Sequence, residues 1–194
     1  MIENWFPYNI GVVSNPNHKD YSDKCVKRCE EIKKSFTKRG GEHWVSTVYN
    51  TSTIEYELKD DKIFKDLVDW VQKQVQTYSN TLEMKLNNKN YIPKLDGAWF
   101  NYYEKGDFQE YHSHPSVLSC IYYLKANKNG AKTIFKPKTY ETHKIEYGSD
   151  LRPAGRCTYT PEPGKLLIFR GFMDHCVEQK TDDNERITLA LNYD

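Results

Sequence analysis

NYYEKGDFQEYHSHPSVLSCIYYL, residues 101–124, holds two aromatic and β-branched runs on either side of a Gly-containing turn and a His-x-His pair. The runs extend to Ala98–Tyr103 and Ser119–Leu124, and each is short and alternates with a period of two. Three more of the same kind follow at Lys132–Phe135, Lys165–Phe169 and Arg186–Asn192, separated by Gly, Pro and Asn clusters. No helical pattern lies between them. Many short strands in that order predict an antiparallel sandwich or barrel over residues 95–194.

The first 94 residues read differently. Tyr21, Cys25, Cys29, Ile32 and Phe36 form one apolar stripe at helical spacing, which predicts a helix over 20–39 stopped by Gly40-Gly41. Phe64, Leu67, Val68, Val71, Val75 and Tyr78 repeat the pattern over 61–80. Two amphipathic helices need a common surface, and the sheet supplies one. At 194 residues the chain is expected to form a single α+β domain, with 1–94 as helical support and 95–194 as core. The Lys-, Gly- and Pro-rich stretch 125–160 reads as a long surface excursion, a candidate lid.

Composition excludes several functions. With 28 Lys and Arg against 27 Asp and Glu, the net charge is +1, which offers no bulk attraction to nucleic acid or an anionic membrane. No apolar run approaches the ~20 residues of a membrane span, and the first residues lack the pattern of a signal peptide. Five cysteines without a CxxC pair point to a reduced cytoplasm. Aromatic residues make up 14% of the chain, enough to build a core that the aliphatic count would not.

The chemistry rests on a few side chains. His112 and His114, two apart on an expected strand, face the same way and can reach one metal ion. His175, in FMDHCV, comes 61 residues after His114. Only a fold that returns the chain can join the three, and an antiparallel barrel does so. A lone His-x-His is more often ordinary surface polarity. Arg186, in ERITLALN, changes the balance: a guanidinium within an alternating apolar strand needs an anion, and a carboxylate is its best bidentate partner. His18, His43 and His143 read as surface residues, Arg152 and Arg156 as solvated loop residues, and Trp5, Trp44, Trp70 and Trp99 as core anchors. Cys176 reads as a small buried hydrophobe.

NYYEKGDFQEYHSHPSVLSCIYYL, PEPGKLLIFRGFMDHCVEQ and ERITLALN together resemble the Fe(II)- and 2-oxoglutarate-dependent oxygenases. The likeness is to their prolyl-hydroxylase-like branch, and especially to a group common in marine bacteria and phages. It covers residues 95–194 well, and the N-terminal helices only by order. The resemblance implies a double-stranded β-helix (jelly-roll, cupin-like) barrel with the helices on one sheet. It further implies Fe(II), 2-oxoglutarate and O2, with hydroxylation of a peptidyl proline, another protein residue or a small molecule, in a bacterial or virus-infected cytoplasm. His112 and His175 then fall at metal ligands. Arg186 falls at the arginine that holds the far carboxylate of 2-oxoglutarate, with Thr188, Tyr123 and Tyr103 beside it and Asn192 and Tyr102 as further pocket candidates.

His114 stands where the family carries a carboxylate. Three explanations are open: a three-His iron centre, which is favoured; Glu110, on the same strand face as His112, as an oxygen ligand; or a degenerate site. Asp174, next to His175, is expected to point the other way. Metal binding is expected to weaken as pH falls through ~6.5. Two other readings remain: a cupin-like three-His metalloprotein independent of 2-oxoglutarate, and a non-catalytic jelly-roll binding module.

Overall fold

LSCIYYLK, residues 118–125, has no side suited to water, and it forms an inner strand buried on both faces. The structure, a computed structural model, describes residues 8–37, 39–40, 44–138 and 156–194. Trp5, His43, His143, Arg152 and the middle of the expected lid lie outside the described residues. Along the chain run β1 (Ile10–Ser14), α1 (Ser22–Ser35), β2 (Tyr49–Asn50), α2 (Lys65–Thr81) and a small hairpin, β3 (Lys85–Leu86) with β4 (Lys89–Asn90). Then come β5 (Leu95–Tyr103), β6 (Gln109–His112), β7 (Leu118–Lys125), β8 (Thr133–Phe135), β9 (Cys157–Tyr159), β10 (Lys165–Arg170), β11 (His175–Val177) and β12 (Arg186–Tyr193).

A six-stranded antiparallel sheet has the order β1-β10-β7-β12-β5-β2, and a four-stranded one the order β6-β11-β8-β9. Among the described residues they do not close into a barrel: β1 and β2 end one sheet, β6 and β9 the other. The inner strands of the larger sheet are buried on both faces, and their alternation sorts the side chains. Ile187, Leu189, Leu191 and Tyr193 of β12 join Cys120, Tyr122 and Leu124 of β7 under Cys25, Cys29 and Ile32 of α1 and Leu67, Val71 and Val75 of α2. Each buried Leu or Ile contributes about 1.5–3 kcal/mol. On the opposite face Ile121, Tyr123, Leu167 and Phe169 meet Phe135 from the smaller sheet.

Both helices stand where the stripes predict, with adjusted ends. α1 stops at Ser35 because Phe36 is extended and 38% exposed, so neither Phe36 nor Gly40 belongs to it, and Gly41 lies outside the described residues. His18, expected at the surface, is half-buried with Nδ1 2.7 Å from the Tyr122 hydroxyl. Among the described residues no helix is long and apolar enough to cross a membrane.

Candidate metal and carboxylate site

His112 and His175 face each other across the β6–β11 ladder. Three residues of β11, His175 to Val177, oppose four of β6, Gln109 to His112. Such a bulge re-aims the bulged strand. Gln109 is consequently buried and accepts the Tyr103 hydroxyl at 2.8 Å, while His112 meets the other two histidines. His114 lies beyond the end of β6. Its backbone N–H donates to the Gly171 carbonyl at 2.8 Å, which docks the loop after β6 on the loop between β10 and β11. The contact needs glycine: a Cβ on Gly171 would lie 2.1 Å from the Ser116 carbonyl oxygen and 2.9 Å from that of His114.

One ligating atom from each of His112, His114 and His175 lies within 4.8 Å of the others. His112 Nδ1–H donates to the Glu110 carbonyl at 2.8 Å and His175 Nδ1–H to the Met173 carbonyl at 3.0 Å. Those bonds fix the tautomers and leave both Nε2 lone pairs for a metal. Burial is the main cause that lowers all three imidazole pKa values. His114 falls to about 4, with His112 adding repulsion, and His175 goes well below the ordinary value, pushed further down by repulsion from both His112 and His114. Three neutral imidazoles walled by Trp44 on His112 (4.9 Å between centroids), Trp99 on His114 (5.7 Å) and Phe169 on His175 (4.9 Å) fit a divalent first-row transition ion.

Arg186 lies in the same interior, 2% exposed. Its Nη2 donates to Thr133 Oγ1 at 3.2 Å, whereas Nε and Nη1 are sealed from solvent with no partner. The guanidinium lies 4.3 Å from the Tyr103 ring centroid and 5.5 Å from that of Tyr123. Tyr123 also donates to Thr133 Oγ1, at 2.7 Å, so this hydroxyl accepts twice and keeps its own proton to give. Burial pushes both phenols above their usual pKa and Arg186 pulls them back. A buried cation with orphaned donors fits an anionic ligand, and no described carboxylate is bonded to it.

The structure brings together His112, His114 and His175, and at the other level Arg186, Tyr123 and Tyr103, with buried Thr188 on the same face of β12 as Arg186. Asn192 is farther along that face and accepts from Ser119 Oγ at 2.9 Å. Tyr102 does not line this interior. Alternation turns it to the helix side, where its hydroxyl bonds Glu185 and Lys33 covers its ring. Glu110 is not among the converging donors. Its carboxylate accepts Val45 N–H at 2.7 Å and Ser46 N–H at 3.3 Å, and the bulge breaks the spacing that would have aligned it with His112. Trp44 and Trp99, expected as core anchors, are site walls, and Trp70 alone of the described tryptophans packs on the helix-side core. Cys176 is half-buried and faces away from the histidines, because it neighbours His175 on a strand.

Sequence reading missed Thr133, Gln109, Gly171 and Asn101. Asn101 is 5% exposed, paired with Thr188 between Trp99 and Tyr103, and its Oδ1 has no partner. It belongs to the same alternation as Tyr103, the one signal that marks it.

Three histidines that could hold a metal ion and a buried, partly unpartnered guanidinium lie between two facing β-sheets of the double-stranded β-helix class. The family model described as "Putative 2OG-Fe(II) oxygenase" matches residues 97–192. The chain belongs to the 2OG-Fe(II) oxygenases, which use Fe(II), 2-oxoglutarate and O2. No curated protein matches the sequence. Among solved structures, a Trichoplax adhaerens prolyl hydroxylase in complex with a hypoxia-inducible-factor peptide fragment is similar at TM-score 0.63 and 13% identity, over 95% of this chain and 82% of that one. The viral collagen prolyl hydroxylase of Paramecium bursaria Chlorella virus-1 is similar at 0.58 and 10%, over 95% and 94%. HygX from Streptomyces hygroscopicus, with nickel, 2-oxoglutarate and hygromycin B bound, is similar at 0.62 and 9%, over 96% and 82%.

Proposed function

We propose that this oxygenase, working as one domain, holds Fe(II) through His112, His114 and His175 and receives the far carboxylate of 2-oxoglutarate at Arg186. The observation that carries this reading is the buried guanidinium with two unpartnered nitrogens in the interior that also gathers three neutral imidazoles. Arg186 supplies the charge and the fork. Tyr123 and Thr133 hold that fork in place, and the Thr133 proton completes the carboxylate's partners. Thr133 lies two residues before Phe135, which pairs with His175, so the two levels are about 6.6 Å apart along β8, the reach of a five-carbon diacid. Thr188 and Asn101, paired one step along from Arg186 and Tyr103, line the way toward the histidines, and Asn192 lies beyond them on the same face of β12. Bound with 2-oxoglutarate and O2, Fe(II) supplies the oxidising power that hydroxylates a C–H bond.

The substrate is a peptide segment presenting a compact apolar side chain, a prolyl residue by preference. Trp44 and Trp99, flat walls against two different ligand rings, support that choice. The five free cysteines support a reducing cytoplasm as the place of action. The test is Fe(II)- and O2-dependent conversion of 2-oxoglutarate to succinate, with proline-containing peptides screened for a gain of one oxygen. Loss of conversion in His175→Ala and in Arg186→Ala is expected. Undiminished conversion in either overturns the assignment.

A further inference from the structure

We infer that Glu110 and Trp44 form a clamp that positions the His112 imidazole, so that a residue resembling a spare metal ligand acts on the site through an indole. The inference rests on the reading of His112 as a ligand. Glu110 works at both ends of one short path. Its backbone carbonyl receives His112 Nδ1–H at 2.8 Å, and its carboxylate receives the N–H groups of Val45 and Ser46 at 2.7 and 3.3 Å. Those two amides directly follow Trp44, whose ring meets the His112 ring edge-on at 4.9 Å and 76°. The carbonyl fixes one edge of the imidazole and the indole bears on the ring, leaving little freedom to rotate about the Cβ–Cγ bond.

The rest of the segment is fastened to the same stretch. Ser46 Oγ donates to the Phe108 carbonyl, and Thr47 Oγ1 donates to Asp107 Oδ1 at 3.2 Å. Arg39 ties Thr47 O at 3.0 Å to Glu104 at 2.7 Å and Asp107 at 2.5 Å. Residues 44–48 are therefore registered against the turn that leads into β6 and, through Glu110, against β6 itself, the strand that carries His112. Val45, 80% exposed, has no packing role that would explain the fastening. Both oxygens of Glu110 are taken by amide protons, so direct ligation would require breaking the clamp.

Side-chain variants at 110 leave the backbone carbonyl in place and thus isolate the indole. Anaerobic titration with Co(II), read by its visible absorption, should show Glu110→Ala and Trp44→Ala each binding about 10–100-fold more weakly, the range for groups that orient a metal ligand. The double variant should stay within about twofold of the weaker single, because both changes remove one contact. Trp44→Phe, which keeps an aromatic edge, should retain most of the affinity, and Glu110→Gln, which keeps one acceptor oxygen, should fall between Glu110→Ala and the parent. A structural role alone would lower the melting temperature of these variants without altering the Co(II) spectrum or affinity, and that result overturns the clamp. Multiplying effects in the double variant also overturn it, since Glu110 would then ligate or act independently. If the parent binds Co(II) no better than His175→Ala, the ligand assignment fails instead.

Discussion

Arg186→Met should make the metal-free protein more stable while removing its response to 2-oxoglutarate. In the folded chain the guanidinium is 2% exposed, Nη2 has one neutral partner at 3.2 Å, and Nε and Nη1 have none. Buried donors without partners cost roughly 1–3 kcal/mol each, so two such nitrogens cost about 2–6 kcal/mol. Against this stands the contact with the Tyr103 ring at 4.3 Å, worth about 0.5–2 kcal/mol. Methionine fills a similar volume without a charge, and a net gain of about 1–3 kcal/mol follows, within the range seen when buried ionic groups are replaced by apolar ones. For a chain of this size that raises Tm by roughly 2–12 °C. The parent recovers its deficit on binding: 2-oxoglutarate at 100 times its Kd stabilises by about 2.7 kcal/mol, roughly 5–10 °C. Thermal melts of both proteins, metal-free and then with Mn(II) and 2-oxoglutarate, should therefore cross. A variant that melts below the metal-free parent and still rises with 2-oxoglutarate would refute the argument.

Gly171→Ala should lower Co(II) affinity by on the order of tenfold or more and lower the melting temperature, because a Cβ 2.1 Å from the Ser116 oxygen forces apart the loops that present His114. Unchanged affinity in a titration would show that His114 does not depend on that contact. His114→Asp should bind Fe(II) at least as tightly as the parent, measured by metal content at stoichiometric loading, since it restores a negative ligand; His114→Ala should lose most of it. Co(II) binding should survive well below pH 6.5, because burial keeps the imidazoles unprotonated and His114 takes up its proton only near pH 4. The same depression fixes the sign for stability of the metal-free protein. Between pH 6.5 and 4 the unfolded chain binds protons that the folded one refuses, so stability falls with falling pH by up to about 1.4 kcal/mol per unit per histidine. A pH-independent melting temperature across that window would contradict the burial.

Legibility in the sequence followed the length of each element. The strand runs Ala98–Tyr103, Ser119–Leu124 and Arg186–Asn192 fall within β5, β7 and β12, since eight or nine residues show a period of two clearly. β11, three residues long, is too short to show one, yet it carries His175 between β6 and β8. The His-x-His pair was legible as a site for the wrong local reason. It does not lie on one unbroken strand face: a bulge turns His112 inward, and a loop seated on Gly171 brings His114. Bulge positions and close backbone approaches depend on the partner strand, which the local pattern does not contain. The displacement of Glu110 has the same origin, whereas that of Tyr102 does not. Glu110 lost its alignment to the bulge. Tyr102 is one residue from Tyr103, so simple alternation along β5 already sends it to the helices and away from the pocket. Thr133 escaped notice because its role exists only where β8 passes Arg186 and Tyr123.

The charges in the interior connect these pieces. The three imidazoles are neutral, Arg186 is a buried cation, and no described carboxylate is bonded to it. A divalent ion adds two positive charges, so the folded protein gathers like charge in a region of low dielectric and releases the strain only when a dianion enters. With a carboxylate ligand in place of His114, one unit of that excess would be cancelled permanently. On the proposed ligand set, having histidine there should leave metal retention more dependent on 2-oxoglutarate. Metal and cosubstrate should therefore bind with positive coupling, and linkage requires each to strengthen the other by the same factor. Restoring the carboxylate by His114→Asp should reduce that factor, even as metal binding alone becomes tighter.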